Sequence, residues 1–429
     1  MSTSLEGRRI TALACFDSFG KVGMTMLAAC RRAGAETRMV LLDVQGRTLS
    51  RRQRVEIQRI DTKTKVTRHP WTSRIKLGKE LFDNSDAVIL ALDGKRSRDT
   101  LLLLQALWTN QKRRPLLVSA YPGILFRHQL EGMMDRAGVD LLCLNSPIDF
   151  ETYSKGCHAL NMDSTNAAVT GLPILWDLHP RTLTEKQGTL LFFEQPSVPS
   201  NPLQRHYLCR QLEHLAKQWR ENLVIFKPRI SSLERTLHRH HGEMATRIRK
   251  LSKTTPNLKI SHKPASHLLR QCSCAITVSS TAALEAMAMG ISTRIVADLG
   301  LNETLGNHYF SDSGAVADFE SICTDPFTVR HHPEWLERHG WQPDGKKQFL
   351  AALAARLTSY ADASPALSTS GWGSPQWQTF ALAHGGASML TSGGARSAHQ
   401  KRHRSRSVLR QLRDHIVGMS WLENILRGR

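Results

Sequence analysis

The stretch Cys274-Ala-Ile-Thr-Val-Ser-Ser-Thr-Ala-Ala-Leu-Glu-Ala-Met-Ala-Met-Gly290 decides the fold class of this chain. Its first five residues are apolar or β-branched, which predicts a short buried strand. Strong helix formers follow from Ala282 to Met289, and Gly290 stands where a helix C-cap belongs. A strand that turns directly into a helix in this way is typical of an α/β protein with a parallel sheet.

Three consecutive hydroxyl residues, Ser279, Ser280 and Thr281, occupy the predicted turn of this stretch. The N–H groups of a first helical turn have no partner inside the helix, and the positive end of the helix dipole lies beside them. Together with the hydroxyls they predict a site for an anion such as a phosphate. The alternative is that the hydroxyls only cap the helix.

The same alternation of strands and helices continues along most of the chain and predicts two α/β units in succession. Strands are predicted at 10–15, 37–42, 87–92, 115–120 and 141–144 in the first unit, and at 189–194, 223–226, 258–260, 274–278 and 295–296 in the second. Each unit is expected to form a Rossmann-like, doubly wound sheet that places its ligands at the carboxyl ends of the strands. No G-x-G-x-x-G turn is present, so a dinucleotide fingerprint is absent.

Composition predicts the domain boundaries. Residues 1–172 form an N-terminal domain, 173–188 a hinge, 189–325 a C-terminal domain and 326–360 packing helices. Residues 361–395 are rich in Ser, Gly, Ala and Pro, which predicts a flexible linker. Residues 396–429 are densely basic with apolar residues at helical spacing. Such a tail can lie on an anionic membrane surface, or it can dock on the protein body with its arginines in solvent.

The charge balance narrows the class of partner. The 429 residues include 58 Lys and Arg against 37 Asp and Glu, a net charge of +21. This excess favours phosphate-bearing partners, namely nucleic acid, an anionic membrane or anionic substrates. Nucleic acid is the least favoured, because only 6% of the residues are aromatic and no nucleic-acid module is recognised.

Localisation is predicted from what the sequence lacks. It has no apolar run of about 18 residues, so no membrane-spanning helix is expected. Its first residues are polar, unlike a signal peptide, and its eight cysteines have no paired spacing. We expect a reduced, cytoplasmic protein, bound peripherally at the inner membrane if the tail binds there. A basic helix over 47–59 is expected to be a solvated face.

Three motifs resemble a bacterial family of uncharacterised glycosyltransferases of the GT-B type: Asp17-Ser18-Phe19-x-Lys21, Val118-Ser119-x-x-Pro122-Gly123 and Val278-Ser-Ser-Thr-Ala-Ala-Leu-Glu-Ala286. The second unit is more distantly similar to the sialyl- and Kdo-transferases of capsule and lipopolysaccharide synthesis, which use CMP-activated sugars. Those enzymes carry a Lys-Pro-His-Pro or His-Pro element. Lys227-Pro228-Arg229 stands in its place here, with arginine instead of histidine.

The resemblance, which covers residues 10–318, implies two domains that face a cleft. The second would hold a nucleotide-sugar donor and the first a glycan or glycolipid acceptor. A leaving phosphate gathers negative charge, which Lys227 or Arg229 would stabilise together with Ser279, Ser280 and Thr281. Glu285 would accept hydrogen bonds from the ribose or base, or would only complement the helix dipole.

The acceptor hydroxyl needs a general base, and Asp17 at the end of the first strand is the leading candidate, with Asp93 second. Asp17 would otherwise cap the following helix or fix the turn. Ser18, Lys21, Pro122 and Gly123 are predicted to line the acceptor side of the cleft, although a plain tight turn explains Pro122-Gly123 equally well.

These residues predict a hexosyl- or sialyl/Kdo-type glycosyltransferase. No Asp-x-Asp occurs, so we expect transfer without a metal ion or other cofactor. A sugar-nucleotide epimerase of the same architecture and a basic nucleic-acid-binding protein are the alternatives. Product analysis separates the two enzymes, because only a transferase makes a new glycosidic bond.

Overall fold

A computed structural model describes residues 4–44, 48–108, 113–124, 129–180, 188–195, 197–229, 243–329, 331–339, 341–360 and 379. The predicted tail and all of the predicted linker except Thr379 lie outside the described residues.

The first sheet contains seven parallel strands. They are β1 Arg9–Ala14, β2 Glu36–Asp43, β3 Lys65–Pro70, β4 Ala87–Ala91, β5 Leu116–Ser119, β6 Leu141–Leu144 and β7 Ala167–Val169. Their order across the sheet is β3-β2-β1-β4-β5-β6-β7. β3 and β7 were not predicted. β3 is a polar, partly exposed edge strand without the continuous apolar pattern of a buried strand. β7 is apolar, but its three residues are too few to be recognised as a strand.

The second sheet contains six parallel strands. They are β8 Leu190–Phe193, β9 Val224–Lys227, β10 Leu258–Ile260, β11 Cys274–Thr277, β12 Ser292–Val296 and β13 Val316–Ala317. Their order is β10-β9-β8-β11-β12-β13. The predicted α/β class with two doubly wound parallel sheets is therefore confirmed.

Helices connect the strands of both sheets. They are α1 Asp17–Arg32, α2 Arg51–Ile60, α3 Arg74–Asn84, α4 Gly94–Trp108, α5 Gln129–Met134, α6 Pro147–Ala159, α7 Pro202–Gln218, α8 Glu243–Leu251, α9 Ala265–Leu269, α10 Ala282–Ala288, α11 Phe319–Thr324, α12 Pro333–His339 and α13 Gly345–Ser359. Short 3-10 helices span Trp71–Ser73, Pro173–Leu175 and Asn307–Phe310. No described helix is long and apolar enough to cross a membrane.

α1 lies close to the centre of the first sheet because it carries two glycines on its inner face. A Cβ on Gly23 would come within 3.1 Å of the Ala91 Cβ on β4. A Cβ on Gly20 would come within 2.5 Å of Ile57 on α2. Side chains at these positions would push α1 away from the sheet and from α2. The small residues therefore fix where the first turn of α1 lies.

Within the part of the chain that the structure describes, the polypeptide crosses between the two sheets twice, and the two crossings lie side by side. Gly171, with φ +70°, follows β7, and a Cβ on it would lie 2.9 Å from the Gln342 Cβ. A Cβ on Gly345 would clash with the backbone oxygen of Thr170. Asp177 in the first crossing pairs with Lys346 in α13 and with Arg32 in α1, at 2.9 Å for the latter.

α13 follows the second crossing and packs on the first sheet. Phe349 is fully buried and stacks on Trp176 with ring centroids 5.2 Å apart. The Arg356 side chain donates to the backbone oxygen of Asp140 at 2.8 Å, beside the start of β6. The last described helix thus belongs to the core of the first sheet. The domain bounds at 172, 188 and 325 stay predictions.

Candidate functional site

Each sheet has one point where its connections change direction. In the first sheet this point falls between β1 and β4, and in the second between β8 and β11. Ligands of open parallel sheets bind in the crevice outside the carboxyl ends of the strands at such a point. The residues that follow these four strands therefore frame the candidate site.

Asp17 follows β1 and opens α1. The residue before it, Phe16, has φ +66° and ψ 158°, a backbone conformation that costs a non-glycine residue about 1–3 kcal/mol and is found mainly at functional sites. Phe16 rather than Asp17 holds the N-cap position, so the capping role does not apply to Asp17. Oδ2 of Asp17 accepts from Lys21 Nζ at 3.1 Å, whereas Oδ1 is buried and without a hydrogen-bond partner among the described residues.

Lys21 joins Asp17 to α2. Its Nζ donates to Glu56 Oε2 at 2.8 Å, and Arg52 Nη1 donates to Glu56 Oε1 at 2.7 Å. Burial alone would raise the pKa of Glu56, but the hydrogen bond and charge of Lys21, with help from Arg52 and Lys227, lower it. The Glu56 side chain is only 12% exposed, so the inner side of α2 is not the solvated face that the sequence indicated.

Lys227 is the last residue of β9 in the other domain, and it is 8% exposed. Burial and the neighbouring Arg229 lower its pKa to about 8, and Arg52 and Lys21 of the first domain act in the same direction. Glu56 opposes them. Side chains of the first domain therefore lie close enough to Lys227 to alter its protonation.

Glu285, on α10, is half-buried at the same junction. Burial raises its pKa, and the charges of Arg229, Lys21 and Lys227 oppose that rise. Among the described residues no cation approaches it closely enough to form an ion pair. The carboxylate therefore sits within the field of three cations without being neutralised by direct contact.

The predicted acceptor turn comes close to the turn after β11 of the second sheet. A Cβ on Gly123 would lie 2.8 Å from Thr281 Oγ1, so the two turns touch only because residue 123 has no side chain. Asn145 Nδ2 donates to the Gly123 oxygen at 2.9 Å, which helps to hold this turn in place. The structure thus brings Gly123 and Thr281 together, with Pro122 beside them and Ser18 half-buried in the first turn of α1.

The three hydroxyl residues differ in their surroundings. Ser279 is buried, its N–H donates to Gln195 Oε1 at 2.9 Å, and its hydroxyl donates to the Leu305 oxygen. Both of its donors are therefore used within the protein, and we assign Ser279 to the scaffold. Ser280 and Thr281 are half-buried, and the Ser280 hydroxyl accepts from Ala282 N at 3.3 Å.

The predicted helix after this turn is shorter than the argument for a dipole requires. α10 has seven residues, and its N-cap, Thr281, makes no side-chain capping bond. A short helix contributes little to anion binding. The positive charge at this junction comes from Lys21, Lys227 and Arg229 instead. Gly290 has φ +71°, as expected for the residue that ends the helix.

Gln195, which holds Ser279, is itself supported by a buried ion pair. Arg205 has no exposed surface, and its Nη1 lies 3.5 Å from Glu194 Oε1, while Nη2 lies 3.5 Å from the Gln195 oxygen. Burial raises the pKa of Glu194 to about 7, against the opposing charge of Arg205. The pair fixes the end of β8 beside the Ser-Ser-Thr turn.

Asp93, the second candidate base, already accepts hydrogen bonds from neighbouring side chains. Its Oδ2 accepts from Arg96 Nη1 at 2.8 Å and from Cys15 Sγ at 3.7 Å. Asp17, with one unpartnered oxygen, remains the better candidate. Within the described ranges, no group of three or more His, Cys, Asp or Glu side chains is placed to hold a metal ion.

Solved structures similar to this chain share its two-domain architecture. The UDP-GlcNAc 2-epimerase from Methanocaldococcus jannaschii is 10% identical with a TM-score of 0.56, over 81% of this chain and 99% of that one. The same enzyme from Neisseria meningitidis, bound to UDP-GlcNAc, is 10% identical with a TM-score of 0.53, over 81% and 100%. The wall teichoic acid polymerase TagF is 8% identical with a TM-score of 0.52, over 84% and 91%. At these identities the likeness shows the fold alone, which is of the GT-B type.

The two doubly wound parallel sheets define a two-domain protein of GT-B architecture. The chain belongs to the family described as "Putative glycosyltransferase (DUF6716)", whose model matches residues 10–356. No functionally curated protein matched the sequence. The predicted membership of a glycosyltransferase family is confirmed. The finer likeness to sialyl- and Kdo-transferases stays a prediction.

Proposed function

We propose that this protein transfers a sugar from a nucleotide-activated donor, held by the second domain, to a glycan or glycolipid acceptor held by the first. The donor class includes CMP-ulosonic acids, and the reaction proceeds without a metal ion. The observation that carries the proposal is that the charges of Lys21, Lys227 and Arg229, which come from both domains, all act on Glu285.

The cations explain how the donor would react. When the glycosidic bond of a nucleotide sugar breaks, negative charge develops on the leaving phosphate. Lys227 and Arg229 lie at the end of β9, and Ser280 and Thr281 lie at the end of β11, two strands further along the sheet. Fixed charges and donors at this edge stabilise the developing charge without reorganising during the step.

Asp17 supplies the base in this proposal. Its carboxylate accepts the proton of the attacking acceptor hydroxyl, and Lys21, bound to Oδ2, keeps that carboxylate oriented. Glu285, which no described cation neutralises directly, accepts hydrogen bonds from the ribose or base of the donor.

The donor is identified by a thermal-shift screen of the purified full chain with CMP-, UDP- and GDP-sugars. We expect one nucleotide class to raise the melting temperature. The double variant Ser280→Ala, Lys227→Ala should lose that shift and all turnover while its circular dichroism spectrum stays native. Unchanged turnover would remove the donor-site assignment.

Product analysis tests the class of reaction. A new glycosidic bond in the presence of a glycan or glycolipid extract supports transfer. Free isomerised sugar nucleotide without an acceptor would identify an epimerase, the activity named for two of the similar structures.

We also propose that residues 396–429 hold the protein on an anionic membrane surface. The proposal rests on the basic and apolar residues alternating in that segment of the sequence. The full chain should sediment with vesicles that contain phosphatidylglycerol, and a variant that ends at residue 395 should stay in the supernatant. Equal sedimentation of both would end this proposal.

A further inference from the structure

A cluster of two arginines and two aromatic residues lies at the carboxyl edge of the first sheet, on the side away from β5. It is formed by Trp71, Arg74, Phe16 and Arg96, and we call it the Trp71 corner. Trp71 and Arg74 follow β3, Phe16 follows β1, and Arg96 lies in the first turn of α4 after β4. Residues that follow three strands of the first sheet thus come together at one point of its carboxyl edge.

Two aromatic rings fix the plane of Arg96. Its guanidinium carbon lies 5.2 Å from the centre of the Phe16 ring and 5.5 Å from that of Trp71. A guanidinium packed between rings is held in place with its N–H groups directed sideways. One of them, on Nη1, donates to Asp93, and Nε is buried without a hydrogen-bond partner among the described residues.

Arg74 adds a second cation to the same indole ring. Its guanidinium carbon lies 5.3 Å from the Trp71 ring centre, and its Nη1 donates to the Trp71 oxygen at 3.4 Å. Lys95, in the first turn of α4, is exposed. Arg96 forms an ion pair with Asp93 at 2.8 Å, whereas Arg74 and Lys95 form no ion pair with another described residue. Two cations at or next to the corner are therefore not paired with an acid among the described residues.

We propose that the Trp71 corner binds an anionic group, a phosphate or a carboxylate, carried by the acceptor. Planar, preoriented guanidinium groups recognise both anions through paired hydrogen bonds. The proposal rests on the proposed function in that the ligand is an acceptor. It adds that this acceptor is charged and that the charge is bound by the first domain, separately from the donor phosphate at Lys227.

The test measures binding rather than turnover. The full chain is labelled with 5-fluorotryptophan at its nine tryptophans, and the ¹⁹F signal of Trp71 is assigned with Trp71→Phe. Glucose 1-phosphate, glucuronate and glucose are then titrated. We expect the Trp71 signal to shift with at least one of the two anions, at a Kd about tenfold or more below that for glucose. Equal effects of all three would overturn the proposal.

Variants locate the charge that is responsible. Arg96→Gln and Arg74→Gln should each raise the Kd of the bound anion about tenfold. Lys79→Gln removes the same charge from an exposed position further along α3 and should leave it unchanged. Unchanged affinity in both arginine variants would overturn the proposal.

Lys227→Ala separates this site from the donor site. The Trp71 shift should persist in Lys227→Ala even though turnover is lost, because the anion sits in the first domain. Loss of the shift in that variant would show that the probe binds only at Lys227, and the proposal would fail. If transfer itself fails for the native chain while the Trp71 shift remains, the anion site stands and the proposed reaction falls.

Discussion

Lys227 is a residue whose buried charge lowers the stability of the fold but suits the anion binding proposed for it. Its ammonium group is buried at the end of β9, and burial with Arg229 lowers its pKa to about 8. In the unfolded chain a lysine titrates near 10.5, so below pH 8 the folded state holds a proton at an energetic cost. The proposed anionic donor would offset that cost, because it favours the charged form of Lys227.

Lys227→Met should therefore raise the unfolding free energy at pH 7 by on the order of 1–3 kcal/mol. The melting temperature should rise with it. This stability difference between the variant and the unmodified chain should shrink as the pH rises from 8 towards 10.5. Near pH 10.5 Lys227 loses its proton in the unfolded state as well as in the folded state. Lys253→Met, at an exposed position, is the control and should change little. A lower melting temperature for Lys227→Met at pH 7 would contradict the argument.

Activity should depend on the same proton. The role proposed for Lys227 at the leaving phosphate needs its cationic form, so kcat/KM should fall as the pH rises through about 8. The measurement is a pH profile of the native chain under donor-limiting conditions. In Lys227→Arg the decline near pH 8 should disappear, because arginine keeps its charge.

Asp17 is tested by removing its charge alone. Asp17→Asn should lower kcat by about 100- to 10,000-fold, the contribution of a positioned base, while the thermal shift given by the donor is retained. Asp83→Asn, exposed on α3, is the matched control. If kcat is unchanged, the base lies elsewhere and Asp93 is the next residue to examine.

At the scale of elements, the local sequence pattern predicted the strands and helices that depend on it. The apolar run before Ser279 and the helix formers after it form β11 and α10, as expected. Lys21 and Glu56 are 35 residues apart and meet because Gly20 lets α1 approach α2. Nothing in the basic pattern of 47–59 distinguishes Glu56 from a solvated residue, since its contact depends on how two helices pack. The same holds for Trp71, Arg96 and Gln195.

The contact between the turns after β5 and β11 gives a prediction about packing. Gly123→Ala places a methyl group about 2.8 Å from Thr281 Oγ1 and should lower the unfolding free energy by about 1–3 kcal/mol. Adding Thr281→Ala removes that oxygen and should restore most of the loss, whereas Thr281→Ser keeps it and should not. Equal melting temperatures for the two double variants would show that the turns do not meet in this way.

At the scale of the whole molecule, the end of the described chain stabilises its beginning. Phe349 stacks on Trp176 beneath the first sheet, so Phe349→Ala should cost about 3–5 kcal/mol in chemical denaturation. Lys347→Ala, two residues earlier and exposed, should stay within about 0.5 kcal/mol of the native value. A small effect of Phe349→Ala would mean that α13 is not part of this core.

The paired crossings at Gly171 and Gly345 have a mechanical consequence. We expect two neighbouring segments that both join the domains to favour one motion, a rotation about the line on which they lie. This rotation would change the distance between Lys21 and Lys227. The contacts that each lysine makes within its own domain would stay the same. Opening and closing of the two domains would then change the electrostatic potential at a bound anion without any rearrangement inside either domain.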